Sequence, residues 1–515
     1  MKKFFQDRKR IILILAPLFI GLIYLLLCIA NMHQSIWFDE SYSAYLVRFD
    51  FGKIWDFTSV DVHPPLYYFL LKIWAHLFGH NVETMRVMSA LLGALAIVFA
   101  YLWLKYKYGG AAAVVASLLM AISPIMVRYG QEMRMYTLVI LIVFAATYFL
   151  QLAIDHGKKY WWVIYAILVA AGMWTHYFCA FAWCAHVVYL FMIYGKKVFQ
   201  KKIILTYLLS VVLFLPWVPS LISQTSAVQS GFWIGETSVA SIADYWTEAM
   251  IYDRASEVKS WLLILCLATA IVVTALIIRY RKKLKLLLTL AIVPVIILLL
   301  LSMPPLEPMF ISRYVLYAMV AFYLLEGVAL VMYTREKFST KWMTKKVRFY
   351  RHPVVLVGAT VVLILCTTIF GLKSVYEHGN YNFVTWQKST SKDLYDNLIV
   401  LDAMEGSPII SNSPWLYYDL SAYTSEENPI LFIDEITDYE YGSLIPLRDS
   451  YFGKISDLDN YLKQHKTVWY VGVEPEDGAE LEFPRDGWRV TTRSDLQFDD
   501  RSDRYQILKL EKEQI

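Results

Sequence analysis

Two carboxylates stand side by side in the run Trp37-Phe38-Asp39-Glu40, and a histidine before a rigid turn, His63-Pro64-Pro65-Leu66, closes the same stretch. A positioned carboxylate can take the proton of a hydroxyl as that hydroxyl attacks a substrate. Asp39 could equally cap a helix, since Asp is a favoured N-cap. A third use is a metal site, with Asp39 or Glu40 and His63 offered to a hard cation such as Mn²⁺ or Mg²⁺. The prolines press His63 towards extended backbone. There its imidazole can meet a phosphate, a metal or a hydrogen-bond partner.

A second group is cationic. Arg86, Arg128, Arg134 and Arg313 lie in short polar segments, two of them in Arg128-Tyr-Gly-Gln-Glu-Met-Arg-Met-Tyr136 and one in Ile-Ser-Arg313-Tyr314. The guanidinium fork matches phosphate geometry. Ion pairs with Asp39, Glu40 or Glu132, or snorkelling at a helix end, are the bland alternatives. Arg134 and Arg313 together favour phosphate.

Positioning these groups requires a membrane. The chain of 515 residues is 58% hydrophobic and only 18% charged, where a soluble domain is nearer one quarter charged. Its apolar residues fall in runs that match a hydrocarbon core about 30 Å thick. Eleven spans are expected: 11–30, 86–104, 112–127, 137–153, 160–175, 178–194, 203–221, 261–278, 286–302, 314–332 and 353–370. The first follows a basic head but is longer than a signal-peptide core and lacks a small-residue cleavage site, so it is expected to stay as a helix. All five cysteines fall within apolar runs, where packing rather than disulfide or metal chemistry is expected.

Charge in the loops sets the expected sides. Lys105 and Lys107, Lys158 and Lys159, Lys196 to Lys202, Arg279 to Lys283 and the basic stretch 335–351 alternate with poorly cationic loops. The positive-inside rule makes them cytoplasmic, with the N-terminus. The segment 35–66, the loops bearing Arg134 and Arg313, the long loop 222–260 and the C-terminal tail then face outward. Within the first outer loop, 66–78 is too short to span and suits an interfacial helix; another is expected from Asp39 or Glu40.

From residue 371 the composition changes to 27 acidic against 14 basic residues, which marks a separate polar domain. β-rich runs at 408–411, 429–433, 467–473 and 505–510 alternate with helical patterns at 392–404 and 457–465, giving a small α/β domain. The expected division is 1–370, a helical membrane domain, and 371–515, the tail. Asp457-Leu458-Asp459 superficially matches the DxD of nucleotide-sugar transferases, but it follows Ser456 and more simply decorates a helix start.

Other charged positions carry less. His176, at a short turn, and His186, within a span, are expected to be interhelical hydrogen-bond partners. Glu326 is the one clear acid inside a span, and a structural or snorkelling role is expected. Spans so poor in ionisable groups disfavour a coupled transporter.

The joint pattern resembles the GT-C glycosyltransferases: Trp-x-Asp-Glu after the first span, then His-Pro-Pro-Leu-Tyr, then Gln-Glu-x-Arg-Met-Tyr after the third. The nearest branch is that of bacterial proteins related to protein O-mannosyltransferases and the lipid A aminoarabinose transferase. The resemblance is strongest across 37–136, with Arg313-Tyr314 as a later landmark. It implies a membrane enzyme that moves a monosaccharide from a polyprenyl-phosphate donor to an acceptor hydroxyl on the outer face of the cytoplasmic membrane, with inversion. Asp39 would be the base and Glu40 its neighbour. Arg134, Arg313 and His63 would hold the donor phosphate, and Glu132, Tyr136, Trp37 and Tyr314 would line the cavity. Some branches hold a divalent metal at the carboxylates; the mannosyltransferase-like branch does not require one, and no cofactor is expected. The acceptor could be a glycan, a lipid or a protein. Two rival classes stay open: a lipid or polysaccharide transporter, and a non-catalytic scaffold in envelope assembly. Trp233 and Trp246 in the long outer loop suggest a covering lid.

Overall fold

The computed structural model describes residues 2–228, 237–256, 258–304, 308–337, 351–377, 391–403, 406–424, 429–437, 442–449, 452–473, 480–497 and 504–513. Trp233 lies outside them. The chain gathers into two compact units, each discontinuous in sequence: Met1–Met32, His63–Tyr67 and Arg86–Val384 form one, and His33–Val62, Tyr68–Met85 and Thr385–Ile515 the other.

The first unit is mainly helical. Among the described residues, eight helices are long and apolar enough to cross a membrane, or nine if one bent pair is a single span. That pair is Gly110–Ile122 and Pro124–Gly130, bent by 58°. Ser123 caps the second helix by accepting from the Met126 N–H, with Pro124 at its first position; proline has no N–H to continue the preceding ladder. Two further expected spans are helices of 17 residues, Lys159–Thr175 and Lys285–Leu301. At about 1.5 Å per residue they fall a little short of a hydrocarbon core of roughly 30 Å. Eleven spans were expected; composition supplies the apolar runs but not the breaks within them.

Burial ranks these helices. The span Ser312–Glu336 is 89% buried and Tyr136–His156 is 78% buried, whereas Ser260–Tyr280 and Val354–Glu377 are each 28% buried. The latter expose Ile264, Ile271, Val362 and Ile369, apolar surface suited to lipid rather than water. The central helix approaches Gly110–Ile122 closely, since a Cβ on Gly327 would lie 2.4 Å from the Ala116 Cα. Small residues at such contacts let two backbones meet in a membrane.

The second unit is built on a six-stranded sheet: β1 (Ile409–Ser411), β2 (Ile430–Ile433), β3 (Lys454–Ile455), β4 (Thr467–Val473), β5 (Trp488–Gln497) and β6 (Arg504–Lys512). The order is β3-β2-β1-β4-β6-β5. Strands β1 to β4 pair in parallel and β4-β6-β5 antiparallel, with a register shift between Val490 and Thr492. Ile410, Leu431, Val468, Tyr470, Leu508 and Leu510 fill its core with Leu458 and Leu462 from the helix Leu458–Lys463. Asp457 caps that helix by accepting from the Asn460 N–H at 2.9 Å, a structural task consistent with setting aside the DxD match.

Segments that follow the first long helix belong to this second unit. The helix Leu66–Phe78 forms over the expected residues, and Trp74 donates from its indole to the Thr84 carbonyl at 2.8 Å. The helix Phe38–Leu46 is fastened to the helix Pro414–Ser421 by Ser41, whose hydroxyl donates to Asp419 Oδ1 at 2.6 Å. Ser391 donates to the other Asp419 oxygen at 2.9 Å, so one buried carboxylate joins three segments. Edge contacts of Phe38 with Trp415 and of Tyr45 with Tyr418, at 4.7 and 5.0 Å, add aromatic packing.

Candidate functional site

Within the second unit, Trp37 is buried and occupies the N-cap of the helix Phe38–Leu46 in extended conformation. Asp39 and Glu40 sit in that helix's first turn. Asp39 is therefore not the cap: both the Glu40 and Ser41 N–H groups already close on the Trp37 carbonyl, at 2.9 and 3.0 Å. Glu40 is fully buried and Asp39 half-buried.

The remaining predicted residues lie in the first unit. After Gly130 the backbone leaves the helix, and residues 131–135 run as a buried turn into the helix Tyr136–His156. Irregular backbone at such depth needs close support. The first helix supplies it: the Tyr24 hydroxyl donates to the Met126 carbonyl at 3.1 Å. A Cβ on Gly130 would lie 2.1 Å from the Tyr24 hydroxyl, so that position requires glycine.

Two kinds of arginine flank this break, Arg128 in the helix Pro124–Gly130 and Arg134 in the turn. Arg128 is fully buried; its Nη1 meets Glu132 Oε2 at 2.5 Å and its Nε donates to the Tyr252 hydroxyl at 2.6 Å. Its guanidinium also stands over the Tyr129 and Tyr252 rings. That is a neutralised structural pair, and Glu132 is committed to it. Arg86 likewise serves structure, donating to the Met32 carbonyl at 2.7 Å.

Arg134 and Arg313 are placed otherwise. Both are buried, at 2% and 7% exposure. Arg134 precedes the helix Tyr136–His156, and Arg313 lies in the turn Ser312–Val315 that opens the helix Leu316–Lys337. They converge electrostatically on His176, where His63 joins them. The His176 ring lies 5.5 Å from those of His63 and Tyr314 and 6.2 Å from that of Tyr136. Phe178 stacks on Tyr314 at 4.4 Å. Predicted residues His63, Arg134, Tyr136, Arg313 and Tyr314 thus gather around a histidine assigned elsewhere.

The state of that histidine follows from its contacts. Its Nδ1 accepts from the Phe178 N–H at 3.3 Å, so in the neutral ring the proton sits on Nε2. Burial, then His63, Arg134 and Arg313, hold its pKa well below the ordinary value. Nε2 is buried and has no hydrogen-bond partner among the described residues. His176 thus offers one neutral N–H within a cationic cluster. The interhelical role expected for it belongs to His186 alone, which meets Thr147 and Tyr165, each at 3.0 Å.

Glu248 was also missed. It lies on the helix Val239–Ile251, inside the expected long loop, and accepts from the Ser312 hydroxyl beside Arg313. Burial pushes its carboxyl up to about 7, while the Ser312 hydrogen bond, Arg254 and Arg313 draw it back and Asp244 adds to the rise. Glu326 is buried at 4% exposure, so it does not snorkel. Among the described residues no three His, Cys, Asp or Glu side chains gather as metal ligands.

The structure of ArnT from Cupriavidus metallidurans bound to undecaprenyl phosphate aligns over 97% of both chains with a TM-score of 0.59 and 14% identity. The Archaeoglobus fulgidus oligosaccharyltransferase AglB, in complex with an inhibitory peptide and a dolichol-phosphate, aligns over 90% of this chain and 70% of its own with a TM-score of 0.52 and 14% identity. The fold is that of the GT-C glycosyltransferases. This is a multi-pass membrane protein. Residues 62–220 match the family model of dolichyl-phosphate-mannose-protein mannosyltransferases. Two putative mannosyltransferases of Bacillus subtilis, YkcB and YycA, are 29% and 25% identical over 148 and 225 residues, or 29% and 43% of this chain. The matched stretches span only 20% and 31% of those relatives.

Proposed function

We propose that the protein is a glycosyltransferase that moves a monosaccharide from a polyprenyl-phosphate donor to an acceptor hydroxyl on the outer face of the cytoplasmic membrane. The observation that carries this is the gathering of Arg134, Arg313 and His63 around the buried His176, two guanidiniums and two imidazoles in one place. Such a set suits a phosphate. Relatives with this fold were solved with undecaprenyl phosphate and dolichol-phosphate bound, which supports a lipid phosphate as the occupant.

In the reaction, the acceptor oxygen bonds to the anomeric carbon as that carbon's bond to the phosphate oxygen breaks on the opposite side, giving inversion. The acceptor proton passes to the Asp39 carboxylate, and the electron pair of the broken bond leaves on the phosphate. Oxocarbenium character in the sugar is expected, as in other glycosyl transfers. Charge growing on the phosphate is stabilised by arginines already in place, and losing one such donor costs on the order of 10²–10³ in rate. Phosphate is a good leaving group, so no general acid is assigned. Glu40 is next to the base in its helix, and Tyr136 and Tyr314 lie beside His176 in the cluster. No metal is assigned.

The test is transfer of labelled sugar from polyprenyl phosphate by the purified protein and by Asp39→Asn. Transfer by the wild type, reduced about 10²–10⁴-fold in the variant with donor binding kept, is expected. Undiminished transfer by Asp39→Asn would remove Asp39 as the base. No transfer by the wild type from any polyprenyl-phosphate sugar would favour a transporter or scaffold.

A further inference from the structure

At the other end of the same helices is a second cavity. His176 precedes the helix Cys179–Tyr194, Tyr136 opens Tyr136–His156, and Arg313 lies just before Leu316–Lys337. The second cavity is lined from the far ends of these three, by Ile193, Gln151 and Arg335 respectively. At about 1.5 Å per residue the two places are more than about 20 Å apart along the helices. The cavity has a volume of ≈ 780 Å³, within the common range of about 300–1,000 Å³ for ligand pockets.

Its rim is cationic and its floor buried. Lys107, Lys282, Lys283, Lys285 and Arg335 line it, and the carboxylate of Glu336 is also present. That carboxylate is already engaged: Arg279 pairs with it and the Tyr280 hydroxyl donates to it at 2.6 Å. The rim is held in shape by Arg335, which donates to the Tyr108 carbonyl at 3.0 Å, and by the Tyr108 hydroxyl, which donates to the Lys283 carbonyl at 3.3 Å.

The lysines alone need no ligand to explain them, because the positive-inside rule places them here and Lys107 also lies in the last turn of its helix. The floor is different. Trp103 is fully buried, lines the cavity, and its indole N–H has no acceptor among the described residues. An indole N–H usually finds a partner when buried. An unpartnered donor in the lining of a cationic cavity is matched in kind by an anionic oxygen. Ile193, Leu286 and Met332 supply apolar wall, and Ile193 is 38% exposed. A free anion needs no such wall, whereas an acyl chain running along it does.

We propose that this cavity holds the phosphate headgroup of an anionic membrane lipid, with the Lys282–Lys285 turn, Lys107 and Arg335 around the phosphate and Trp103 donating from below. Basic pockets between transmembrane helices on the positive side are a recurring means of lipid headgroup binding. The site is separate from the histidine–arginine cluster and does not depend on the transferase assignment.

The experiment titrates the purified full-length protein in detergent with dioleoylphosphatidylglycerol and with dioleoylphosphatidylcholine, counting bound lipids by native mass spectrometry. Three proteins are compared: wild type, Lys282→Gln/Lys283→Gln/Lys285→Gln, and Lys196→Gln/Lys197→Gln/Lys201→Gln, which loses equal charge from another loop at the same end. Phosphatidylglycerol should bind the wild type in preference to phosphatidylcholine and weaken by on the order of tenfold or more in the cavity variant alone. Equal weakening in both variants would reduce the effect to surface charge and overturn the site; no weakening in either would do the same. Displacement of the lipid by excess inorganic phosphate would assign the cavity to a free anion instead. Trp103→Phe keeps the ring and removes the donor. Several-fold weaker binding at unchanged thermal stability is expected, and unchanged affinity would remove the indole from the site.

Discussion

Arg128, in the helix Pro124–Gly130, and Arg134, in the turn after it, stand six residues apart, yet their surroundings differ in kind. Arg128 faces a carboxylate and a phenol, which leave its charge balanced. Arg134 faces Arg313 and two histidines around a shared centre. The first arrangement serves the fold, and the second is the one to which we assign the donor phosphate. Residue type did not separate them; partners did.

The largest effect should fall on the structural side. Arg128→Ala would strand Glu132 as a buried charge, and breaking such pairs costs about 3–5 kcal/mol. Thermal unfolding in detergent should show this loss, and unchanged stability would erase the distinction between the two arginines.

Glu248 gives the next test, because it links the cluster to pH. Its carboxyl is raised by burial from 4.5 to about 7, so the folded state holds the proton more tightly than the unfolded chain. Stability from this group is fully present below the unfolded value and is lost as pH rises through about 7. The shift corresponds to about 3 kcal/mol at most. Protonation also removes a negative charge beside Arg313, so donor affinity should rise as pH falls through the same window. Glu248→Gln should flatten both profiles; a slope that survives the substitution would assign it to another group.

His176→Ala should have the smallest of these effects. A hydrogen bond to a charged group is worth roughly 1.5–3 kcal/mol, or about 10- to 100-fold in donor affinity. His176→Gln, which keeps an N–H donor, should recover part of it. Equal affinity in wild type and His176→Ala would return the residue to a packing role.

Much of the architecture was legible in the residues because lipid imposes simple rules. Apolar runs of span length read as helices, and four of the six strands were marked by β-rich runs. The short strand β3 and the polar strand β5 carried no such signal: Trp488–Gln497 holds two arginines, two threonines and an aspartate. The broken span at Ser123-Pro124 was visible as a residue pair but not as a 58° bend. His63, Arg134 and Arg313 could be named from residue type and expected side. His176 and Glu248 could not, since a lone histidine at a turn and an acid in a long loop acquire meaning only when the chain folds around them. Nor can a composition boundary at residue 371 show that the helix carrying Asp39 is tied to Asp419.

The most direct measurement is the affinity of the purified protein for polyprenyl phosphate in wild type and Arg134→Gln, each checked for thermal stability. Arg134→Gln should bind the lipid phosphate on the order of tenfold or more weakly while unfolding at nearly the same temperature. Unchanged affinity, or a loss of affinity that only tracks a loss of fold, would contradict the assignment of the His63–Arg134–His176–Arg313 cluster as the donor phosphate site.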